Sequence, residues 1–288
     1  MRRTCTIPGG DKPLESGPGR ALTIIAGPCV MESLELSIRI ARTLREVCDE
    51  CGFGYVFKAS FDKANRSSGA SPRGPGIAPG LEHLAAVRRE IGCPVTTDVH
   101  ETDQATLAGE VVDVIQIPAF LCRQTDLLLA AGRAAHKRGA VVNVKKGQFV
   151  SPREMVGPLR KLREAGCANA MVTERGTFFG YHRLVNDFIG VGDLLELDDG
   201  SGSGPPVCFD VTHSTQLPGA GETSGGRPER SPMLALAAAA AGVDALFLEC
   251  HPDPPRAASD ASTALALEAM PGILRRVRRV WEAAREDR

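Results

Sequence analysis

Short apolar runs alternate along this chain with stretches in which apolar residues return every three or four positions. The runs have the length and composition of buried strands, and the stretches between them have the period of helices with one covered face. Strands are expected at 22–26, 55–59, 94–98, 113–117, 140–144, 170–174, 206–213 and 245–251. Helices are expected at 32–51, 81–90, 101–110, 124–138 and 152–165, followed by a weaker one between 184 and 197. An Ala-rich helix lies between the last two strands, and an amphipathic one over 261–285 sets Leu265, Ile273, Val277 and Trp281 against a run of Arg.

Eight strand-helix pairs in about 270 residues match the size of a closed parallel barrel, for which roughly 250 residues is typical. The expected fold is therefore α/β, a single-domain (β/α)8 TIM barrel over 21–288. Residues 1–20, polar and rich in Gly and Pro, are expected to form an arm or small cap outside the core. An open doubly wound sheet is the runner-up, but that fold carries a Gly-rich phosphate turn after its first strand, where this chain has Ala26-Gly-Pro-Cys29. The Gly-Ser stretch 200–206 has the composition of a surface insertion.

Composition narrows the partners. Lys plus Arg (34) nearly balance Asp plus Glu (35), so no net field recruits nucleic acid or an anionic membrane. No apolar run is long enough for a membrane span, and Met1-Arg-Arg-Thr-Cys-Thr-Ile-Pro lacks the apolar centre of a signal peptide, so a cytoplasmic location is expected. The nine cysteines are scattered as reduced packing thiols are, and Cys48 and Cys51, a lone C-x-x-C at a helix end, read as helix packing.

In a barrel the chemistry stands at the carboxyl ends of the strands. The residues expected there are Cys29, Lys58 with Lys63, Asn65 and Arg66 in the following loop, Asp98 and His100, Gln116, Asn143 and Lys145, Glu174 and Arg175, Asp210 and His213, and Glu249 with His251. Closure makes the eighth strand a neighbour of the first, so Cys29, His213 and Glu249 come from adjacent strands, and Asp260 can add a fourth ligand. Thiolate, imidazole and carboxylates together suit a divalent ion such as zinc, iron(II) or manganese rather than magnesium or calcium, which prefer all-oxygen sites. Any one of these residues alone would be ordinary core. A second group is cationic: Lys58, Lys63, Arg66, Lys145 and Arg175 over one mouth would repel one another unless anions lay between them, so a substrate bearing phosphate or carboxylate is expected.

From Phe57-Lys-Ala-Ser-Phe-Asp-Lys-Ala-Asn-Arg-Ser-Ser68 onward the sequence resembles the 3-deoxy-D-manno-octulosonate 8-phosphate synthases. The likeness continues through Thr97-Asp-Val-His-Glu101, Asn143-Val-Lys-Lys-Gly-Gln-Phe149, Glu174-Arg-Gly-Thr-Phe-Phe-Gly-Tyr181, Phe209-Asp-Val-Thr-His213 and Leu248-Glu-Cys-His-Pro252, and covers nearly everything after residue 20. The resemblance implies a barrel, usually a homotetramer, that joins phosphoenolpyruvate to arabinose 5-phosphate for lipopolysaccharide precursor synthesis. Cys after the first strand resembles the metal-dependent branch, with Cys29, His213, Glu249 and Asp260 as ligands. It also implies that Lys145 and Arg175 hold the phosphoenolpyruvate phosphate, with Lys58 and Lys63 near its carboxylate. Asn65, Arg66 and Ser67 would hold the sugar phosphate, Asp98, Gln116 and Asp210 would contact substrate, and Arg123 would reach a neighbouring subunit's site. Asp260 or His213 would relay the proton, while the ion either polarises the aldehyde or activates water.

Cys250 departs from the pattern, and period two directs it away from Glu249's side. A related synthase using erythrose 4-phosphate is the alternative within the class. A Schiff-base aldolase working through Lys145 is a mechanistic alternative, and a non-catalytic metal-binding barrel leaves the cations unexplained.

Overall fold

The computed structural model describes residues 2–64, 73–218 and 225–286. Eight parallel strands close on themselves: β1 (Thr23–Gly27), β2 (Gly54–Lys58), β3 (Val95–Asp98), β4 (Val114–Ile117), β5 (Val141–Lys145), β6 (Ala170–Glu174), β7 (Val207–Asp210) and β8 (Ala245–His251). The ring is sealed where β8 pairs with both β7 and β1, with Glu249 opposite Gly27. This is the (β/α)8 barrel expected from the alternation.

The helices that cover it are α1 (Leu34–Cys51), α2 (Ile77–Ile91), α3 (Thr102–Ala108), α4 (Thr125–Arg138), α5 (Val156–Glu164), α6 (Phe188–Leu195), α7 (Ser231–Ala241) and α8 (Met270–Glu286). Chain chemistry sets their ends. Ser33 caps α1 by accepting the Leu36 amide, and Gly52 in a left-handed conformation ends it. Strand residues alternate between two cores. Ile24, Tyr55, Phe57, Val142, Val172, Phe209, Leu246, Leu248 and Cys250 face the helices, so Cys250 does point away from the Glu249 side. Ile25, Val56, Val114, Val141, Met171, Cys208, Ala245 and Phe247 fill the barrel itself.

Four expectations change. The N-terminal segment is a hairpin, Cys5–Ile7 against Leu14–Ser16, and it lies at the bottom of the barrel as a cap; Cys5 and Ile7 are 1% and 0% exposed and belong to the inner core, not outside it. Thr6 is pinned by reciprocal bonds with the Asn169 side chain, and Arg3 pairs with Asp199 at 2.7 Å. The turn around 200–206 is tied to this cap, since Arg3 donates its amide to the Gly204 carbonyl. The last helix starts at Met270, nine residues later than expected, because Pro271 fits only the first turn of a helix. Before it, Leu265–Ala266 adds a short parallel strand to the end of β8.

The weak helix between 184 and 197 is half hairpin. Arg183–Val185 pairs with Thr177–Gly180, and α6 begins only after Asp187, whose side chain caps it. The seventh strand ends at Asp210 rather than reaching His213, which sits on a 3-10 turn, His213–Thr215.

Candidate active site

Gly27 is where the site begins to be built. A Cβ there would lie 2.0 Å from the Lys58 carbonyl oxygen, so only glycine lets the end of β1 approach β2 and carry Pro28 and Cys29 over the barrel rim. Cys29 Sγ stands 2.9 Å from Asp260 Oδ2, and donor atoms of Cys29, Glu249 and Asp260 all lie within 4.8 Å of one another. Asp260 adopts a left-handed backbone, φ 50°, uncommon for a non-glycine residue, in the loop after β8.

His213 completes the group from the 3-10 turn. Its Nε2 is 3.6 Å from Glu249 Oε2 and 3.9 Å from Asp260 Oδ2. Its Nδ1 is held 2.8 Å from Asp210 Oδ2, and Asp210 Oδ1 accepts the His213 amide, which orients the ring with Nε2 toward the cluster. Glu249 Oε2 is buried and has no hydrogen-bond partner among the described residues. An orphaned carboxylate oxygen beside a thiol, an imidazole and a second carboxylate is an arrangement that a divalent cation would satisfy. Burial pushes the Cys29 thiol well up, with Asp260 and Glu249 adding to the effect, so the charge of a cation is what would make it a thiolate ligand.

The anions of this cluster are matched by cations. Lys58, almost fully buried, bonds Glu249 Oε1 at 2.5 Å and the Cys29 carbonyl at 2.9 Å. Its ammonium thus has two acceptors within the protein. Lys63 Nζ is 3.8 Å from Asp260. Burial works to raise the Glu249 carboxyl, but Lys58, His213, Lys63 and Lys145 outweigh it and hold the group well below the usual carboxylate range.

On the far side of the mouth Lys145 Nζ bonds Asp210 Oδ2 at 2.7 Å and lies 3.6 Å over the Phe247 ring. Asp210 therefore joins the anion-facing lysine to the His213 ring. Arg175 gives Nη2 to Gln216 Oε1, while its buried Nη1 has no hydrogen-bond partner among the described residues. Burial alone lowers its guanidinium pKa, against the pull of Asp210 and Glu174. Between the two halves runs a chain of polar groups: Ser60 and Gln116 donate to Asp98, Asn143 to Gln116, and Thr173 to Asn143.

A pocket of about 70 Å³ is lined by Lys63, Asp98, Lys145, Arg175, His213 and Glu249 among others. A larger groove of about 630 Å³ lies over the Thr177–Gly180 hairpin and carries none of these charges. Chemistry, not volume, marks the site.

Two expected mouth residues are placed otherwise. Glu174 turns to the outer face and pairs with Lys146 at 3.2 Å, since its register parity is that of Ala170 and Val172. His251 is buried 3.4 Å from Glu32. Arg123, expected to reach a neighbouring subunit's site, is exposed on the outside of the chain. Asn65, Arg66 and Ser67 lie outside the described residues. Sequence reasoning passed over Ser60, Phe247 and Gln216; of these, Phe247 could have been found from period two, one inward step before Glu249.

A closed parallel barrel with a charged pocket at the carboxyl ends of its strands is the build of a (β/α)8-barrel enzyme. The chain belongs to the DAHP synthetase I family, whose model matches residues 7–284. Among its relatives, the 2-dehydro-3-deoxyphosphooctonate aldolase of Koribacter versatilis is 50% identical over 276 residues, covering 94% of this chain and 95% of that one. The protein of the same name from Synechococcus is 49% identical over 271 residues, 94% of this chain and 92% of its own. That of Nitratidesulfovibrio vulgaris strain DP4 is 49% identical over 259 residues, 90% and 91%.

Proposed function

We propose that the chain condenses phosphoenolpyruvate with D-arabinose 5-phosphate and water, giving 3-deoxy-D-manno-octulosonate 8-phosphate and phosphate, as a step toward a lipopolysaccharide precursor in the cytoplasm. What carries this is the placement in one mouth of an orphaned Glu249 oxygen among metal-seeking side chains and of an Arg175 nitrogen without a hydrogen-bond partner beside Lys145. The relatives' shared name supports the choice of product.

Lys145 and Arg175 bind the phosphoenolpyruvate phosphate, and Lys63 stands where its carboxylate would lie, with Lys58 beside it holding Glu249 in place. Asn65, Arg66 and Ser67 take the sugar phosphate, and Asp98 and Gln116 meet its hydroxyl groups. Cys29, His213, Glu249 and Asp260 hold a zinc, iron(II) or manganese ion, which when bound supplies positive charge to the aldehyde oxygen or to the water. Asp260 is ionised at neutral pH, because Lys63 and His213 outweigh the burial that opposes its charge, and so it can accept a proton. His213, its Nδ1 fixed by Asp210, presents only Nε2 to the reaction. Fixing both substrates in one orientation supplies a large part of the rate.

A homotetramer is part of this reading. Phe179 and Tyr181 are 96% and 93% exposed at the tip of their hairpin, an apolar surface suited to another copy, and Arg123 is free on the outside to reach a neighbouring site.

The test is phosphate release from phosphoenolpyruvate with arabinose 5-phosphate or erythrose 4-phosphate, with and without a chelator. Activity should require the five-carbon sugar, vanish on chelation, return with added divalent metal and be absent in Cys29→Ala. Preference for erythrose 4-phosphate would sink the sugar assignment. Full activity in metal-stripped protein would sink the metal assignment.

A further inference from the structure

Lys145 ends β5 and Arg175 directly follows β6, its neighbour, and each is next to a residue of opposite facing. Lys145 pairs in register with Thr173, so Asn143, Lys145, Thr173 and Arg175 point into the barrel, while Lys146 and Glu174 point out beneath the helices. There the two meet, Lys146 Nζ to Glu174 Oε2 at 3.2 Å, with side chains 2% and 4% exposed.

Each partner is also bonded to backbone on the opposite strand's loop or its own. Lys146 donates Nζ to the Val150 carbonyl at 3.0 Å, and its amide to the Thr173 carbonyl at 2.7 Å. Glu174 Oε1 accepts the amides of Arg175 at 2.9 Å and Gly176 at 2.6 Å, and Gly176 has φ 93°. The carboxylate therefore fixes the peptide on both sides of the Arg175 Cα, and the lysine fixes that carboxylate to the segment leaving Lys145.

A buried ion pair recovers little net stability once its desolvation is counted, so folding alone gives no reason for this one. The site gives a reason. Two cations brought together in a buried mouth repel each other; Asp210 bonds Lys145 and attracts Arg175 from a distance, while Arg175 Nη1 has no hydrogen-bond partner among the described residues. The strand ladder holds the two backbones as far as Lys145 opposite Thr173, and the Lys146–Glu174 pair extends that hold one step further, to where Arg175 leaves the strand.

We propose that the Lys146–Glu174 pair is a positioning device that locks Lys145 and Arg175 into one preformed phosphate-binding unit without touching the phosphate. It rests on the reading above that these two cations hold the phosphoenolpyruvate phosphate. Its effect is expected at that phosphate: Asp98 and Gln116, assigned to the sugar hydroxyl groups, stand on β3 and β4.

The experiment uses the full chain with Glu174→Gln, which keeps an acceptor for the two amides but removes the charge, and Lys146→Met. Inorganic phosphate binding is measured by calorimetry, and KM is measured for each substrate separately with kcat. A displaced binding group should raise the phosphate Kd and the phosphoenolpyruvate KM by about tenfold, leaving the KM of the sugar phosphate near that of the parent; each single variant also strands a buried charge and lowers the melting temperature, so both constants are read at a temperature where it is folded. Equal changes in both KM values, or unchanged phosphate affinity in folded Glu174→Gln, would overturn the proposal. Should either single variant fail to fold, the double variant Lys146→Met/Glu174→Met replaces the pair with apolar groups of similar length and removes the lone buried charge. It must show the same loss of phosphate affinity, and parent-like affinity in it overturns the proposal too. Arg175→Ala separates the two levels. If that variant binds phosphate as the parent does, the site reading itself fails; if it binds weakly and Glu174→Gln does not, only the positioning device fails.

Discussion

The two ends of the barrel interior are made from the same strands, one inward step apart, and they are built on opposite principles. At the bottom, Ile25, Val56, Val114, Val141, Met171, Cys208 and Ala245 pack around Cys5 and Ile7 of the hairpin. At the mouth the next inward positions include Lys58, Gln116, Asn143, Thr173 and Asp210, with Glu249 two steps above Ala245. The bottom is held by removing apolar surface from water, which is non-directional and tolerates changes that conserve volume. The mouth is held by pairs, Lys58 with Glu249 and Lys145 with Asp210, in which each charge is tolerable only because of the other. The bottom can lose an atom and remain a bottom; the mouth cannot lose a charge without stranding another.

The comparison is tested hardest at Lys58. Lys58→Met leaves Glu249 buried beside Cys29 and Asp260 with its strongest counter-charge gone. Stripping one partner from a buried pair costs about 3–5 kcal/mol, so urea unfolding of the metal-free protein should show a loss of that size. Activity should fall at least about a thousandfold, because the Glu249 carboxylate loses the ammonium that holds it in place. Parent-like stability in this variant would mean that the mouth is not held by paired charges.

The matching change at the bottom is Ile7→Ala. Ile7 is completely buried in the inner core, so its truncation should cost about 2–4 kcal/mol by urea unfolding, as large-to-small core changes do. Since Ile7 packs in the apolar cluster that fills the barrel, kcat/KM at a temperature where the variant is folded should stay close to the parent's. A fall in kcat/KM without a fall in stability would erase the distinction between the two ends.

How much of this was legible in the sequence follows the same division. Strand positions were readable because β-strands buried on both faces are nearly uninterrupted apolar runs, and Ala170–Glu174 and Ala245–His251 fall where expected. The convergence of Cys29, Glu249 and Asp260 was readable because barrel closure makes the first and last strands neighbours, a topological consequence that needs no distances. The side-chain partnerships were not. That Lys58 is spent on Glu249, or that Glu174 turns outward to Lys146, depends on what an adjacent strand presents at the same height. Register between strands distant in sequence leaves no mark on either one. The hairpin was missed because three residues, Cys5–Ile7, are too few for an alternation to be distinguished from chance. His213 was placed on a strand because an Asp210-capped turn looks, in one dimension, like more strand.

The smallest expected effect is one of pH, and here the two ends should differ in sign. Burial opposes the charge on Asp98 at the mouth, but Lys58, Lys63 and Lys145, with the Ser60 hydroxyl, hold its carboxyl below the usual range. A carboxyl depressed in the folded state contributes stability that is present above its unfolded pKa, near 4, and is lost as the pH falls through the folded value. Asp98→Asn should therefore be less stable than the parent at pH 7 by about 1 kcal/mol, with the gap closing as the pH drops below about 4. At the bottom, burial and then Asp244 push the Cys5 thiol up to about 12. A raised thiol contributes stability that is complete below the unfolded pKa, about 8.5, and disappears as the pH rises toward the folded one. Cys5→Ala should thus lose stability to the small cavity at pH 7 but approach the parent in strong alkali. Unfolding midpoints of the two variants against the parent from pH 3 to pH 10 decide the matter: gaps that close at opposite ends of the range mean charge at one end of the barrel and neutrality at the other, and gaps that run in parallel mean that the two ends are not electrostatically distinct.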